Sequence, residues 1–356
     1  MHRIVWASVK SGMLIHRRSQ NKVVNGPSKK AANFKRCNQK TISGVCEFDP
    51  DSVKDIIEQS LSTKPEGITA EIAFFGGSFT GIDRELMIKL LSVAKDYVDK
   101  GLVTSIRCST RPDYINEEIL DILKEYSVDI IELGLQTTSD EILTKTKRGH
   151  TFADEERAVK LITSRGFTLV GQMMIGLPGS TLEEEIKCAQ FIISSGAKYA
   201  RIYPTVVFYD TELCFMTESG EYTALTLEEA IERSAVILSM LRENGVKVIR
   251  VGLCASENLA SEKTFFRGPN HPALGELVEN RVYLKRMEEL IKENYDEKTE
   301  TVELLIPKGA RSKVIGQKQC NIKRLSELYG IKKIKLTESE RLNEGIVTLI
   351  NQERKS

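Results

Sequence analysis

The first 40 residues contain no aspartate or glutamate, against ten lysines and arginines. Such an acid-free head fits an organellar transit segment, a disordered basic arm for nucleic acid, or text foreign to the domain behind it. Long apolar runs are also missing. None approaches the ~18 residues of a membrane-spanning helix, so no membrane partner is expected. Cysteine is sparse and scattered: residues 37, 46, 108, 188, 214, 254 and 320, an odd number with no secretory segment before them. That pattern argues against a disulfide framework and for a reducing cytoplasm, with Cys108 and Cys254 as small core residues. Histidine is rare too. His150 and His271 have no His, Cys or Asp at ligand spacing, so both read as loop hydrogen-bonders rather than metal ligands.

What is present is a charge mosaic. The net charge of +1 averages over the basic head, an acidic stretch and a basic tail. Residues 41–298 hold 29 basic and 43 acidic residues, and residues 299–356 hold 12 basic and 7 acidic. At 356 residues the chain accommodates two domains, or one large α/β domain with an appendage.

From Asp51 onward strand and helix signals alternate. Strands are expected at 68–75 (ITAEIAFF), 102–108 (LVTSIRC), 128–135 (VDIIELGL), 167–175, 199–207 and 246–253. Helices are expected at 51–62, 83–100, 116–126, 139–146, 153–165, 181–194 and 226–244, the last with charges that read as a solvated face. Successive short βα units imply a parallel sheet, closed into a partial barrel or left open, since periodicity does not separate the two. After residue 255 the alternation stops. Residues 256–298 read as a linker and helical extension, and 299–356 as a separate βααβ unit with a last strand at 345–350. Residues 1–36 follow no such grammar, although Ile4, Val5 and Trp6 make a short apolar stretch.

In parallel barrels the chemistry sits where strands end. The first readable strand delivers Gly76-Gly77-Ser78, where missing side chains let a ligand touch backbone. The next delivers Ser109-Thr110-Arg111-Pro112-Asp113. The third delivers Gln136, followed after one short helix by Lys147-Arg148-Gly149-His150. The fourth carries Gln172 and ends in Gly176-Leu177-Pro178-Gly179, and Tyr203 lies in the fifth. Four polar strand ends exceed what a core requires.

The ordered set FFGGSFTGI, STRPDYI, IELGLQT, KRGHT and QMMIGLPG resembles the radical S-adenosylmethionine (radical SAM) superfamily, in the branch of the Elongator catalytic subunit and the oxygen-independent coproporphyrinogen oxidases. The resemblance runs from about Cys37 to about Val278 and includes RIYPTVV, VIRVGL and GPNHPALGELV. It implies an α/β fold, a partial (β/α)6 barrel over 37–255, that binds S-adenosylmethionine beside a [4Fe–4S] cluster and takes an electron from an external donor to make a 5′-deoxyadenosyl radical. By the same resemblance Gly76, Gly77 and Ser78 hold the methionine amino group, while Ser109, Gln136, Arg148 and Gln172 contact the carboxylate and ribose. A guanidinium suits a carboxylate bidentately, and a glutamine amide can serve two hydroxyls. The family's cluster motif is CxxxCxxC. Here Cys37, with NQKTISG behind it, matches the last ligand, but Lys30 and Phe34 stand at the two earlier positions. The basic head therefore reads as foreign text replacing the first strand and two cluster ligands, and no catalytic side chain is assignable.

The C-terminal unit carries its own signal. Residues 308–335 hold nine lysines and arginines against the single acid Glu327, and such a stretch can neutralise phosphates. VIGQKQCNIKRL resembles the helix–GxxG–helix core of KH domains, which clamp single-stranded nucleic acid by its backbone, except that Gln319 replaces the second glycine. Lys313, Lys318, Lys323 and Arg324 are the candidate RNA contacts. The expectation is a radical SAM enzyme acting on RNA, with tRNA as the first substrate implied by the Elongator-like resemblance; that family's acetyltransferase domain is not seen. The competing readings are an inactive RNA-binding protein on a degenerate barrel, and a cofactor-binding barrel enzyme without a cluster.

Overall fold

The computed structural model of the protein describes residues 52–75, 77–253, 264–294 and 299–354, together with the backbone of residues 2–8. Its centre is a seven-stranded sheet in which every neighbouring pair is parallel. In chain order the strands are β1 (His2–Ser8), β2 (Thr69–Phe75), β3 (Ser105–Thr110), β4 (Val128–Gln136), β5 (Thr168–Ile175), β6 (Tyr199–Pro204) and β8 (Lys247–Val251). Spatial order follows chain order, as in a barrel that winds in one direction and stays open. The six expected strands are all present. The β3 strand starts later than the pattern suggests, because Leu102 belongs to the turn closing the preceding helix, where its N–H donates to Tyr97 O, and its side chain is exposed.

Residues 2–8 depart from the expected irregular head. They run beside β2 in register from His2 opposite Thr69 to Ser8 opposite Phe75. The physical reason is that Ile4, Val5 and Trp6 favour extended backbone once an open parallel edge is available.

The helices on the sheet begin where the sequence supplies caps. Asp83 accepts from Leu86 N ahead of α2 (Arg84–Asp99), and Asn116 accepts from Ile119 N ahead of α3 (Glu117–Glu125). Thr151 and Asp154 close a capping box on α5 (Phe152–Ser164), which follows the short α4 (Asp140–Lys145). Thr181 caps α6 (Leu182–Ser194), and Thr226 with Glu229 boxes α8 (Leu227–Glu243). Each such cap contributes about 1 kcal/mol by satisfying amides that the first turn leaves open. With α1 (Val53–Ser62), these helices bury one sheet face. Ile72, Phe74, Ile106, Cys108, Ile131, Leu133, Leu169 and Met173 pack there with Leu90, Leu120, Ile162 and Ile192. Gly171 fits because a Cβ would lie 2.9 Å from Ile192. The strict alternation sends the intervening residues to the opposite, helix-free face.

Between β6 and α8 a flap carries β7 (Val207–Phe208) and α7 (Glu212–Glu218), and β9 (Phe265–Arg267) pairs antiparallel with β7. Helix α9 (Leu274–Asn294) joins two cores. Leu274, Val278 and Val282 pack on the sheet's helices, while Tyr283, Leu284, Met287 and Ile291 pack under the C-terminal unit. That unit comprises β10 (Thr299–Pro307), α10 (Arg311–Ile315), α11 (Cys320–Tyr329), β11 (Lys333–Ser339) and β12 (Thr348–Arg354), with β10 central, parallel to β11 and antiparallel to β12. The charges on α8 make the expected solvated face only in part: Glu228, Glu229 and Glu243 are exposed, but Arg233 and Arg242 are mostly covered. Glu228 and Glu232 pair with Arg281, Arg233 pairs with Glu185, and Arg242 pairs with Glu279. Long side chains on facing helices meet across the groove, a contact that one helix's sequence does not reveal.

No described helix is long and apolar enough to cross a membrane.

Candidate cofactor-binding site

The helix-free face is unusually polar. Its middle layer holds Glu71, Arg107, Glu132, Arg201 and Arg250 on five strands. Arg107 Nη2 lies 2.8 Å from Glu71 Oε2, and Arg201 Nε lies 2.9 Å from Glu132 Oε2, all four side chains nearly covered. Burial pushes the Glu132 carboxyl above its ordinary range, while Arg201, Arg107 and Arg250 pull it back toward the charged form. Arg201 lies over the Phe75 ring at 4.9 Å and donates from Nη1 to the Tyr203 hydroxyl at 3.0 Å. Tyr203 thus links the ionic layer to the strand ends above it. The sequence signal was available: single charges at alternate positions in TAEIAFF, SIRCST and YARIYP mark a buried ionic layer, since lone charges in strands otherwise face water.

Above this layer the expected strand ends come together. Gly134 on β4 stands beside Gln172 on β5. A Cβ on Gly134 would lie 2.9 Å from Gln136 Nε2, 3.5 Å from Thr110 O and 3.7 Å from Arg148 Nη2. The missing side chain therefore lets the Gln136 amide lie against the β4 backbone, with Arg148 and Gln172 beside it, so that three predicted residues meet at this glycine. Gln172 Nε2 donates to Gln136 Oε1 at 3.5 Å, at the long edge of hydrogen bonding. Gln136 is buried with φ of 74°, a left-handed conformation that costs an ordinary residue about 1 kcal/mol or more. Ser109 is half-buried one strand over, on the same face. Gly77 and Ser78 follow β2, with Ser78 opening the turn Phe79–Gly81. Gly76, Cys37, Cys46 and Cys254 lie outside the described residues, and among the described residues no group of His, Cys, Asp and Glu is placed to hold a metal ion.

The loops that carry these groups are fastened to one another. Thr80 Oγ1 and Thr110 Oγ1 are 2.6 Å apart, and Thr80 Oγ1 donates to Tyr114 O. Arg111 holds Asp113 through two bonds of 2.9 and 2.8 Å. Its Nη2 would be 3.1 Å from a Cβ on Gly149, whose φ of 78° also requires glycine, so the STRPDY and KRGH segments interlock. His150 Nε2 lies 3.1 Å from Glu155 Oε1 with both side chains fully covered. Burial, reinforced by the Arg148 cation, lowers the imidazole to about 4; burial raises the carboxyl to about 9. The two meet as neutral groups. His271 accepts from Ala273 N, the loop role expected of it. The GLPG turn is clamped from below: Glu185 accepts from Gly176 N at 2.7 Å and from Arg233 Nε at 2.8 Å, and Tyr222 OH donates to Gly176 O at 2.7 Å. Sequence reasoning missed Glu185–Arg233 because the partners lie on separate helices, and His150–Glu155 because the sequence does not tell that both of these neighbouring side chains are covered.

This cluster suits S-adenosylmethionine. Arg148 matches a carboxylate, Gln136 and Gln172 offer donors and acceptors for hydroxyls, and Gly134 lets them gather close to the strand backbone. A model of the radical SAM superfamily matches residues 37–192, and a radical SAM C-terminal domain model matches 197–284. The chain belongs to the radical SAM superfamily. Among its relatives, a tRNA uridine(34) acetyltransferase of Methanocaldococcus jannaschii is 32% identical over 206 residues, covering 52% of this chain and 38% of that protein. Elongator complex protein 3 of Bos taurus is 30% identical over 153 residues, covering 42% and 28%. The solved Elp3 of Methanocaldococcus infernus superposes with a TM-score of 0.58 at 26% identity, over 67% of this chain and 59% of that one. The chain thus spans well under half the length of these two relatives. Radical SAM proteins use S-adenosylmethionine and a [4Fe–4S] cluster. The first fits here. The second does not fit the sequence as it stands, because Lys30 and Phe34 offer no thiolate beside Cys37 and one thiolate does not hold a cubane.

In the C-terminal unit the four predicted RNA contacts divide. Lys313 is drawn to Glu279 and Glu344, and Arg324 is held by Glu288 at 2.8 Å. Lys318 and Lys323 are exposed and make no ion pair among the described residues. Lys318 and Gln319 follow Gly316 with φ of 52° and 63°, so the loop keeps a left-handed turn where the KH pattern would place its second glycine.

Proposed function

We propose that this radical SAM protein binds S-adenosylmethionine beside Gly134, at the strand ends that carry Gln136, Arg148 and Gln172, and acts on RNA, with tRNA as substrate, in the cytoplasm. The observation that carries the reading is the convergence of Gln136, Arg148 and Gln172 at one glycine on the strand ends. Arg148 would take the methionyl carboxylate, Gln136 and Gln172 the ribose hydroxyls, and Gly77 with Ser78 the amino group, next to Gly76. When bound beside a reduced cluster, S-adenosylmethionine supplies a 5′-deoxyadenosyl radical. The residues of this chain bind and orient it, and the covered ionic layer beneath keeps that end of the site polar and rigid. The tRNA assignment draws on the names of the relatives. It draws also on the KH-like unit, whose unpaired Lys318 and Lys323 are free for phosphates. An external electron donor would complete the system.

The second reading, an inactive RNA-binding protein on this barrel, has one specific observation in its favour: Lys30 and Phe34 at the cluster positions. Anaerobic reconstitution with iron, sulfide and dithionite separates the two. Reductant-dependent release of 5′-deoxyadenosine supports the enzyme; a colourless protein that binds tRNA without releasing it supports the second reading.

A further inference from the structure

The flap between β6 and α8 has a small core of its own, Val207, Cys214, Tyr222 and Ala224 with Leu213, Met216 and Phe266 against it. Its outer side leaves aromatics in water. Tyr209 is 41% exposed and meets Phe266 edge-on, with centroids 5.1 Å apart at 65°. The exposed Arg267 guanidinium lies 5.4 Å from the Phe266 centroid and makes no ion pair among the described residues. Exposed aromatic surface costs free energy that a flap core of this size does not need to spend.

The flap is tied to the cofactor loops at three points. Lys147, next to Arg148, pairs with Glu212, three residues beyond Tyr209. Thr205 donates from N and Oγ1 to Ile175 O, each at 2.8 Å, and Gly268 sits against Thr205 O. Tyr222 holds Gly176 O. The flap that bears Tyr209, Phe266 and Arg267 is therefore fastened to the segments that carry Arg148 and the GLPG turn.

We propose that Tyr209, Phe266 and Arg267 form a stacking platform for one unstacked nucleobase of an RNA substrate, on the flap fastened to the cofactor loops. Rings and guanidinium planes are the surfaces on which splayed RNA bases stack. The surroundings favour a base over a phosphate: the flap carries Asp210, Glu212, Glu218 and Glu221, and among the described residues only Glu212 has a cationic partner, Lys147. The backbone is left to Lys318 and Lys323. This inference rests on the RNA reading above, and its test separates the two.

Binding of an unmodified tRNA transcript and of a single-stranded RNA 12-mer is measured by fluorescence anisotropy at several salt concentrations. Tyr209→Leu and Phe266→Leu keep apolar packing but lose the π-face. Each is expected to weaken RNA binding by roughly tenfold, with the slope of log K against log salt unchanged. Tyr209→Phe should bind as the wild type does, and thermal melting should stay within a degree or two for all three. If wild-type protein binds RNA and both leucine variants bind equally well, the platform is wrong and the RNA reading stands. If Tyr209→Phe loses as much as Tyr209→Leu, the hydroxyl and not the ring makes the contact, and the platform is again wrong. Wild-type protein that binds neither RNA at low salt removes both.

Discussion

The covered His150–Glu155 contact makes stability depend on pH in a specific way. In the folded protein the pair keeps one proton between about pH 4 and pH 9, on a neutral Glu155 carboxyl beside a neutral imidazole. In the unfolded chain the ordinary pKa values apply, near 4.3 for Glu and 6.5 for His. Between about 4.5 and 6.5 the unfolded pair also holds one proton, so the lowered histidine and the raised glutamate cancel and stability is flat. Above about 6.5 the unfolded pair holds none, so folding takes up a proton and stability falls as pH rises. The slope is at most about 1.4 kcal/mol per pH unit, or roughly 3 kcal/mol from pH 6.5 to 8.5. For a chain of this size that lowers Tm by about 4 to 8 °C. Glu155→Gln keeps the shape and the contact without the ionisable proton. Melting of wild type and variant across pH 5.5–8.5 isolates the Glu155 carboxyl, because the variant keeps His150 and every other titrating group. The wild-type curve should be flat to pH 6.5 and fall above it, whereas the variant's should rise to pH 6.5 and then stay flat, so the wild type loses ground to the variant across the whole range. Parallel curves over pH 6.5–8.5 would refute the neutral-pair assignment.

Three further outcomes follow from contacts already described. Glu185→Ala leaves Arg233 without its carboxylate and Gly176 N without an acceptor, at about 3–5 kcal/mol, whereas Tyr222→Phe loses one bond to Gly176 O at about 1 kcal/mol; urea unfolding ranks them. Asn321 donates to both Asn280 O and Val314 O, so Asn321→Ala should cost about 2 kcal/mol and raise hydrogen exchange over residues 311–329 before it does so in the sheet. Replacing Lys318 or Lys323 by alanine should each lower the salt slope of RNA binding by about 1, and Arg324→Ala by less, because Glu288 already holds that guanidinium.

Much of the architecture was legible because strand ends speak locally. The strand end IELGLQT already delivered Gln136, and TLVGQMMI carried Gln172, whereas the irregular register between Gly134 and Gln136 was not legible. The register that sets Gly134 beside Gln172 is a property of two strands, and neither sequence states it. The same limit hid Arg107–Glu71 and Arg201–Glu132, each split between strands. The edge strand at 2–8 was hidden for another reason: its apolar stretch is short, and only an open neighbouring edge turns it into structure. Arg324 and Lys313 looked like free cations in a basic run, but Glu288, Glu279 and Glu344 come from outside that run.

The central claim is that Gln136, Arg148 and Gln172 enclose a site for S-adenosylmethionine, and calorimetric titration of S-adenosylmethionine into the purified chain tests it directly without requiring the cluster. The account predicts saturable one-site binding, weakened at least tenfold by Arg148→Ala and abolished by Gly134→Val, whose Cβ would push the Gln136 amide out of place, with both variants still folded by circular dichroism. Undetectable binding by the wild type, or equal binding by all three proteins, would contradict it.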